Sequence, residues 1–262
     1  VDFAGSSVVH MTGGMFGLVG AWMIGPRIGK FRRDGAIGAL PGHNLPMAVI
    51  GTLILAFGWF GFNAGSSLAA TDSRIGLIAA NTMLSSSAGA LASLLYLWQR
   101  FRKPDIAMAC NGLLGGLVAI TAPCAFVTPV AAVLIGAIAG FVVVAAVLGL
   151  ERALRIDDPV GAVAVHGACG VWGALALGIF ADGSYGDGWN GVAGPVCGIL
   201  YGDPAQLVAQ LVGVTANVVV VGLLALVFFW IVERTIGNRV LVEVEFTGLD
   251  ALEMGSDAYP NV

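Results

Sequence analysis

Long apolar runs, interrupted at intervals by charge, glycine and proline, constrain this chain more than anything else in it. Seven such runs lie at about residues 3–24, 45–64, 75–98, 106–126, 129–150, 160–180 and 207–232. Roughly 20 helical residues cross a hydrocarbon core about 30 Å thick, so each run is long enough to span a bilayer. The runs are continuous rather than alternating, which predicts helices and not a barrel. The expected fold class is all-α, a polytopic membrane helix bundle. Composition agrees: 58% of the residues are hydrophobic and 11% charged, whereas a soluble domain carries about 25% charged residues. The formal charge of −4 adds little. The four cysteines show no metal-ligand spacing, and no secretory signal is visible. The chain opens on Val1 with a helix predicted from Asp2 onward, which leads us to expect that it begins inside a larger protein.

The basic residues order the spans. Arg27, Lys30, Arg32 and Arg33 follow the first; Arg100, Arg102 and Lys103 the third; Arg152 and Arg155 the fifth; Arg234 and Arg239 the seventh. Of 12 Lys and Arg only Arg74 falls on the other side. The positive-inside rule makes the basic side cytoplasmic, with the amino end outside and the carboxyl end inside. The predicted organisation is a transmembrane domain over residues 1–234 and a cytoplasmic tail over 235–262. The connection 181–206 has no Lys or Arg and carries Asp182, Asp187 and Asp203 with several aromatics, as an external loop would.

A duplicated string says more. Residues 2–14 read DFAGSSVVHMTGG and residues 158–170 read DPVGAVAVHGACG. Aligned at Asp2 and Asp158, both copies have Gly at +3 (Gly5, Gly161), Val at +7 (Val9, Val165), His at +8 (His10, His166) and Gly at +12 (Gly14, Gly170). In the topology above, one copy starts at the outer face and the other at the inner face, so they run oppositely through the membrane. Inverted repeats of this kind place transport paths at their interface. Eight helical residues rise about 12 Å, which carries both histidines towards the midplane. Intramembrane ionisable groups are costly and mark ion or proton paths; His10 and His166 are therefore the principal candidates for function. For Asp2 and Asp158, capping a helix start outweighs a direct part in attracting ions. His43, in GHNLP at the start of the second span, is read as structural.

Leu55, Trp59, Phe62 and Ser66 are spaced by four, three and four, so they share one helical face. A hydroxyl followed by aromatic faces can hold a small cation, although on spacing alone ordinary packing is the preferred account. Gly112, Gly115, Gly116, Gly136, Gly140, Gly167, Gly170 and Gly173 predict close helix packing. Cys124 and Cys197 both lie in or near external segments, but small buried residues are the preferred reading over a disulfide.

Taken together, DFAGSSVVH (2–10), HNLP (43–46), GWFGFNAGS (58–66), DDPVGAVAVHG (157–167), EFTGLD (245–250) and Ala258, Tyr259 and Pro260 resemble the Amt branch of the ammonium transporter/Rhesus family, in order along the whole chain. The resemblance implies an inverted-repeat fold of eleven helices, of which about seven are present here and the first four absent, assembled as a homotrimer with a pore in each subunit. It implies that His10 and His166 are twin pore histidines bonded through their ring nitrogens. It makes Phe62 part of the outer gate, Ser66 a hydroxyl of the outer ammonium site, Trp59 and Leu55 pore lining, and Asp2 and Asp158 helix-start aspartates. Ala162 departs from it, being smaller than the valine expected on the pore wall. The second gate phenylalanine and a vestibule tryptophan belong to the absent helices.

The expected activity is transport, not catalysis. Ammonium is attracted to the outer site and deprotonated there, and ammonia passes the imidazoles, because an intact cation is expensive to desolvate. The alternative is an ammonium sensor of the same fold. No catalytic residues, metal or cofactor are expected, since two deep histidines without clustered carboxylates suit neither a zinc site nor a triad. The expected partners are ammonium or ammonia, membrane lipid and, at the acidic tail, a PII-type signalling protein; no nucleic acid is expected. The implied location is the plasma membrane.

Overall fold

The computed structural model describes residues 1–259; Pro260, one of the motif residues above, lies outside them. The spans among the described residues are helices: α1 (Ser6–Ile24), α2 (Leu45–Ala64), α3 (Arg74–Phe101), α4 (Ile106–Thr121), α5 (Pro129–Leu154), α6 (Val163–Phe180) and α7 (Pro204–Thr235), followed by the short α8 (Val242–Thr247). Among the described residues six of these, all but α4 and α8, are long and apolar enough to cross a membrane.

The starts follow local chemistry. Asn44, Asp105, Thr128 and Asp203 each accept a hydrogen bond from a backbone N–H of the first turn, and Pro46, Pro129 and Pro204 stand in the first turn where no donor is missed. The fourth span departs from expectation. Its helix stops at Thr121 instead of near residue 126, and a buried turn completes it. Pro123 lacks an N–H, and the carbonyls released by the break find other donors. The Asn81 side chain donates to Cys124 O and Val127 O at 2.9 and 2.8 Å. The backbone entering α1 takes two more, Phe3 N donating to Ala122 O and Ala4 N to Thr121 O. A buried break survives only when its polar groups are paired.

The centre of the molecule is the packing of α3, α4 and α5. A side chain at Gly140 or Gly112 would lie 2.5 or 2.6 Å from the Gly89 carbonyl, and Gly116 and Gly136 both sit on the Ser85 carbonyl. Backbones touch where glycine allows it, and Leu117, Val118, Ile120, Ile135 and Val143 seal the rest. Cys124 and Cys197 are unpaired. Most of the apolar surface of α2 and α7 is left uncovered by the described residues.

Ionic contacts collect the ends of the helices. Beyond α1, Arg27 forms a bidentate pair with Asp157 (Nε–Oδ2 2.8 Å, Nη2–Oδ1 3.0 Å), and its backbone N–H donates to the same carboxylate. Burial pushes the Asp157 carboxyl up, but the Arg27 bonds and charge prevail and hold it below the usual carboxylate range. Lys30 pairs with Glu151, Arg239 pairs with Glu245, and Glu245 also accepts the Ile28 N–H. At the opposite end Arg74 donates to Tyr185 O and Asp187 O and lies over the Trp189 ring. The segments following α1, α5 and α7 thus share one end, and the 181–203 connection shares the other with the start of α1.

Candidate functional site

Both copies of the repeated string fold alike at their starts. Gly5 and Gly161 take positive φ, 110° and 77°, which glycine alone adopts freely. This bend turns the preceding aspartate back over the helix end. Asp2 Oδ2 accepts from Ser7 N and Val8 N at 2.9 Å each. Asp158 Oδ2 accepts from Val163 N and Ala164 N at 3.0 and 3.2 Å. The capped amides stand five and six residues beyond the aspartate in both copies. Each helix then opens with a π turn, Ser6–Met11 and Val163–Ala168, and each π turn carries its histidine. A uniform α-helical rise therefore does not describe these entries. The widened turn changes the direction in which the imidazole leaves the axis, a device common at functional sites.

Glycine then brings the copies together. A side chain at Gly14 would collide with the Gly167 backbone, and one at Gly170 would stand 2.7 Å from Ser6 O and 3.0 Å from Met11 N. Gly14 and Gly170 are the same position of the motif, and so are Met11 and Gly167. The crossing of α1 and α6 is therefore pseudo-two-fold. The helices run oppositely, because Arg27 beyond the end of α1 meets Asp157 before the start of α6.

At the crossing, Nδ1 of His10 and Nδ1 of His166 stand 3.3 Å apart, with ring centroids at 5.3 Å and planes 26° from parallel. His10 is 7% exposed, and its Nε2 is buried with no hydrogen-bond partner among the described residues. Two of the four stripe residues join it. The ring of Trp59 stacks on His10 at 5.1 Å and 16°, and that of Phe62 at 5.3 Å and 30°. Ser66 and Leu55 do not join the ring stack. The Ser66 hydroxyl donates to Phe62 O at 2.7 Å, its oxygen keeping capacity to accept, and Leu55 is 51% exposed on the same helix. Ala162 occupies the N-cap position immediately before the second π turn. The arrangement is a bonded imidazole pair walled on one side by aromatic faces, able to pass or share a proton along its nitrogens.

Several supporting residues give no sign in the sequence of the partner they hold. Trp59 Nε1 donates to Thr121 Oγ1 at 3.1 Å, and that hydroxyl donates to Leu117 O, which fixes the indole plane. Asn63 donates to Thr82 Oγ1 at 3.0 Å, anchoring the stripe helix to α3. On α7, Asn217 donates to Ser7 O and Thr12 Oγ1 at 3.2 and 2.9 Å. The one signal they offer is an amide or hydroxyl inside an otherwise apolar run, which predicts an interhelical bond but not its partner. His43 lies apart from this cluster, its ring edge-on to Tyr259 at 5.4 Å.

Comparison with known proteins gives the family and the fold. A model described as Ammonium Transporter Family matches residues 1–259. The Archaeoglobus fulgidus protein named ammonium transporter Amt2 is 50% identical over 262 residues, covering 100% of this chain and 55% of that protein. An Arabidopsis thaliana protein named ammonium transporter 1 member 2 is 38% identical, covering 99% of this chain and 52% of its own. Among solved structures, one named sensor Amt protein superposes with a TM-score of 0.87 at 39% identity, covering 97% of this chain and 60% of that one. Saccharomyces cerevisiae Mep2 superposes at 0.83 and 30%, with 93% and 54% covered. The chain spans about half the length of the curated relatives it matches.

Proposed function

Because the chain belongs to the ammonium transporter family, we propose that it carries ammonium-derived nitrogen across a membrane past His10 and His166. The observation that carries this is the bonded imidazole pair at the crossing of two oppositely directed copies of one motif. Ammonium is gathered at an outer site that includes Phe62 and Ser66, with Asp2 close to that end. Moving an intact cation into an apolar passage is expensive, so the ion surrenders its proton first. Ammonia passes the aromatic wall of Trp59 and Phe62 and the apolar surface near Leu55. The imidazoles offer a donor and an acceptor in turn and can relay the proton. Hydrated metal ions are excluded by the same desolvation cost.

The assembly is a homotrimer in the plasma membrane, with residues 1–234 forming the transmembrane part and the tail from residue 235 in the cytoplasm. The positive-inside rule supports that orientation. The acidic tail, with Glu243, Glu245, Asp250, Glu253 and Asp257, suits a PII-type signalling partner; a pull-down with and without 2-oxoglutarate tests it.

A second reading, an ammonium sensor, is favoured by the likeness to the structure named sensor Amt protein. Ammonium-driven current in the full-length protein decides between them: a sensor binds without sustained current. The histidines are tested in the same assay. Replacing His10 and His166 changes current or selectivity if they line the path, and leaves both untouched if they do not.

A further inference from the structure

We infer that Asn217, on the seventh helix, is a positioning residue for His10, acting through the carbonyl of Ser7 and the hydroxyl of Thr12. This rests on the transport reading above only for its meaning in flux; the geometry is independent of it.

The first π turn leaves one carbonyl carrying several donors. Ser7 O accepts the Thr12 N–H that closes the π turn, lies 3.4 Å from the Thr12 hydroxyl, and accepts the Asn217 amide at 3.2 Å. The same amide group donates to Thr12 Oγ1 at 2.9 Å. One side chain from α7 therefore ties together both ends of the turn that carries His10. The second copy has no such tie. Val163 stands where Ser7 does and Ala168 where Thr12 does, and among the described residues no side chain reaches a carbonyl of that turn. The pair is thus built from one stapled histidine and one unstapled histidine.

Packing does not account for Asn217. Its Oδ1 is buried with no partner among the described residues, while its neighbours Ala216 and Val218 are apolar. A leucine would remove that unpaired oxygen and suit an apolar helix, so the amide is kept for what its nitrogen holds. A π turn closes over one residue more than an α turn and is rare. If this one closed as an α turn, the register of the residues within it would change by up to one residue, about 100°, which would turn His10 within it away from His166, Trp59 and Phe62.

The experiment uses the full-length protein labelled with ¹⁵N-histidine, in proteoliposomes, as wild type, Asn217→Leu, Thr12→Val and Thr12→Ser. The ¹⁵N signals of the imidazole pair and ammonium flux are read on the same samples. Asn217→Leu and Thr12→Val are expected to shift the Nδ1 signals of the pair. They should lower maximal flux about tenfold while the half-saturating ammonium concentration stays within about twofold, because the outer-site residues are untouched. Thr12→Ser, which keeps the hydroxyl, is expected to match wild type. Imidazole signals unchanged in Asn217→Leu overturn the inference whatever the flux. Flux that falls only in proportion to the folded protein recovered, with Thr12→Val unaffected, overturns it too. Shifted signals in a protein whose wild type carries no flux uphold the positioning role and refute transport instead.

Discussion

Gly170→Ala is the sharpest probe of the crossing. The added methyl would lie 2.7 Å from Ser6 O, 3.0 Å from Met11 N and 3.1 Å from Met11 Cβ. These are backbone atoms or a Cβ, so none can rotate aside. Nor can α1 recede freely, because the Ser6 hydroxyl donates to Val118 O and accepts the Ala122 N–H, both at 2.7 Å. Ordinary contact begins near 3.4 Å, so α6 must withdraw by roughly 0.7 Å. His166 lies one turn from Gly170, and the displacement reaches it nearly whole. The imidazole nitrogens, now 3.3 Å apart, would part to roughly 4 Å, beyond any hydrogen bond. Overpacking of this kind costs about 1–3 kcal/mol, enough to lower thermal stability in detergent while leaving a folded protein. The control is Gly17→Ala on α1, where the nearest atom is Val163 Cγ2 at 3.6 Å. It should be neutral, or gain up to about 1 kcal/mol from helix propensity. Flux in proteoliposomes and the melting temperature are measured for both. If Gly170→Ala transports like wild type with an intact imidazole coupling, the glycine crossing does not set the histidine geometry and the reasoning fails.

Three further outcomes are expected. Asp157→Asn should destabilise by about 1–3 kcal/mol by breaking the Arg27 clamp. The carboxyl is held below its ordinary value, so its contribution is complete above about pH 4 and fades as pH falls through the lowered value; chemical denaturation of both proteins should show their difference shrinking in acid. Asp158→Ala, losing the two hydrogen bonds it accepts from Val163 N and Ala164 N, should cost about 1–2 kcal/mol, whereas Asp158→Asn should keep most of that stability as another capping residue. The same exchange at Asp2, if it lowers ammonium flux without lowering the melting temperature, assigns that carboxylate to cation attraction rather than capping. Thr121→Val should leave the Trp59 N–H unpaired, at about 1–3 kcal/mol, and shift tryptophan fluorescence; an unmoved spectrum removes Thr121 from the support of the aromatic wall.

Much of this protein is legible in its sequence. The bilayer as solvent forces every backbone group to be paired within its own helix, so apolar runs betray the spans directly, and six of the seven stand as long helices. The fourth run cannot be read to its end, because Asn81 and the backbone at Phe3 and Ala4, distant in sequence, satisfy the carbonyls of its broken turn. The repeated Asp-Gly-Val-His-Gly spacing announces the two histidines and their opposite approach. Spacing along one helix also groups Leu55, Trp59, Phe62 and Ser66, but only the fold separates Trp59 and Phe62, stacked on His10, from the other two.

What the tertiary structure alone decides is contact across helices. That Gly14 meets Gly167 while Gly170 meets Met11, that both imidazoles present Nδ1 to one another, and that Thr121 and Asn217 reach in from α4 and α7 depend on crossing angles and on two π turns. Helical period and hydropathy are properties of neighbouring residues in one helix, so sequence carries them. A hydrogen bond between Asn217 and a carbonyl 210 residues away depends on how two helices lie against each other, and no local pattern encodes that.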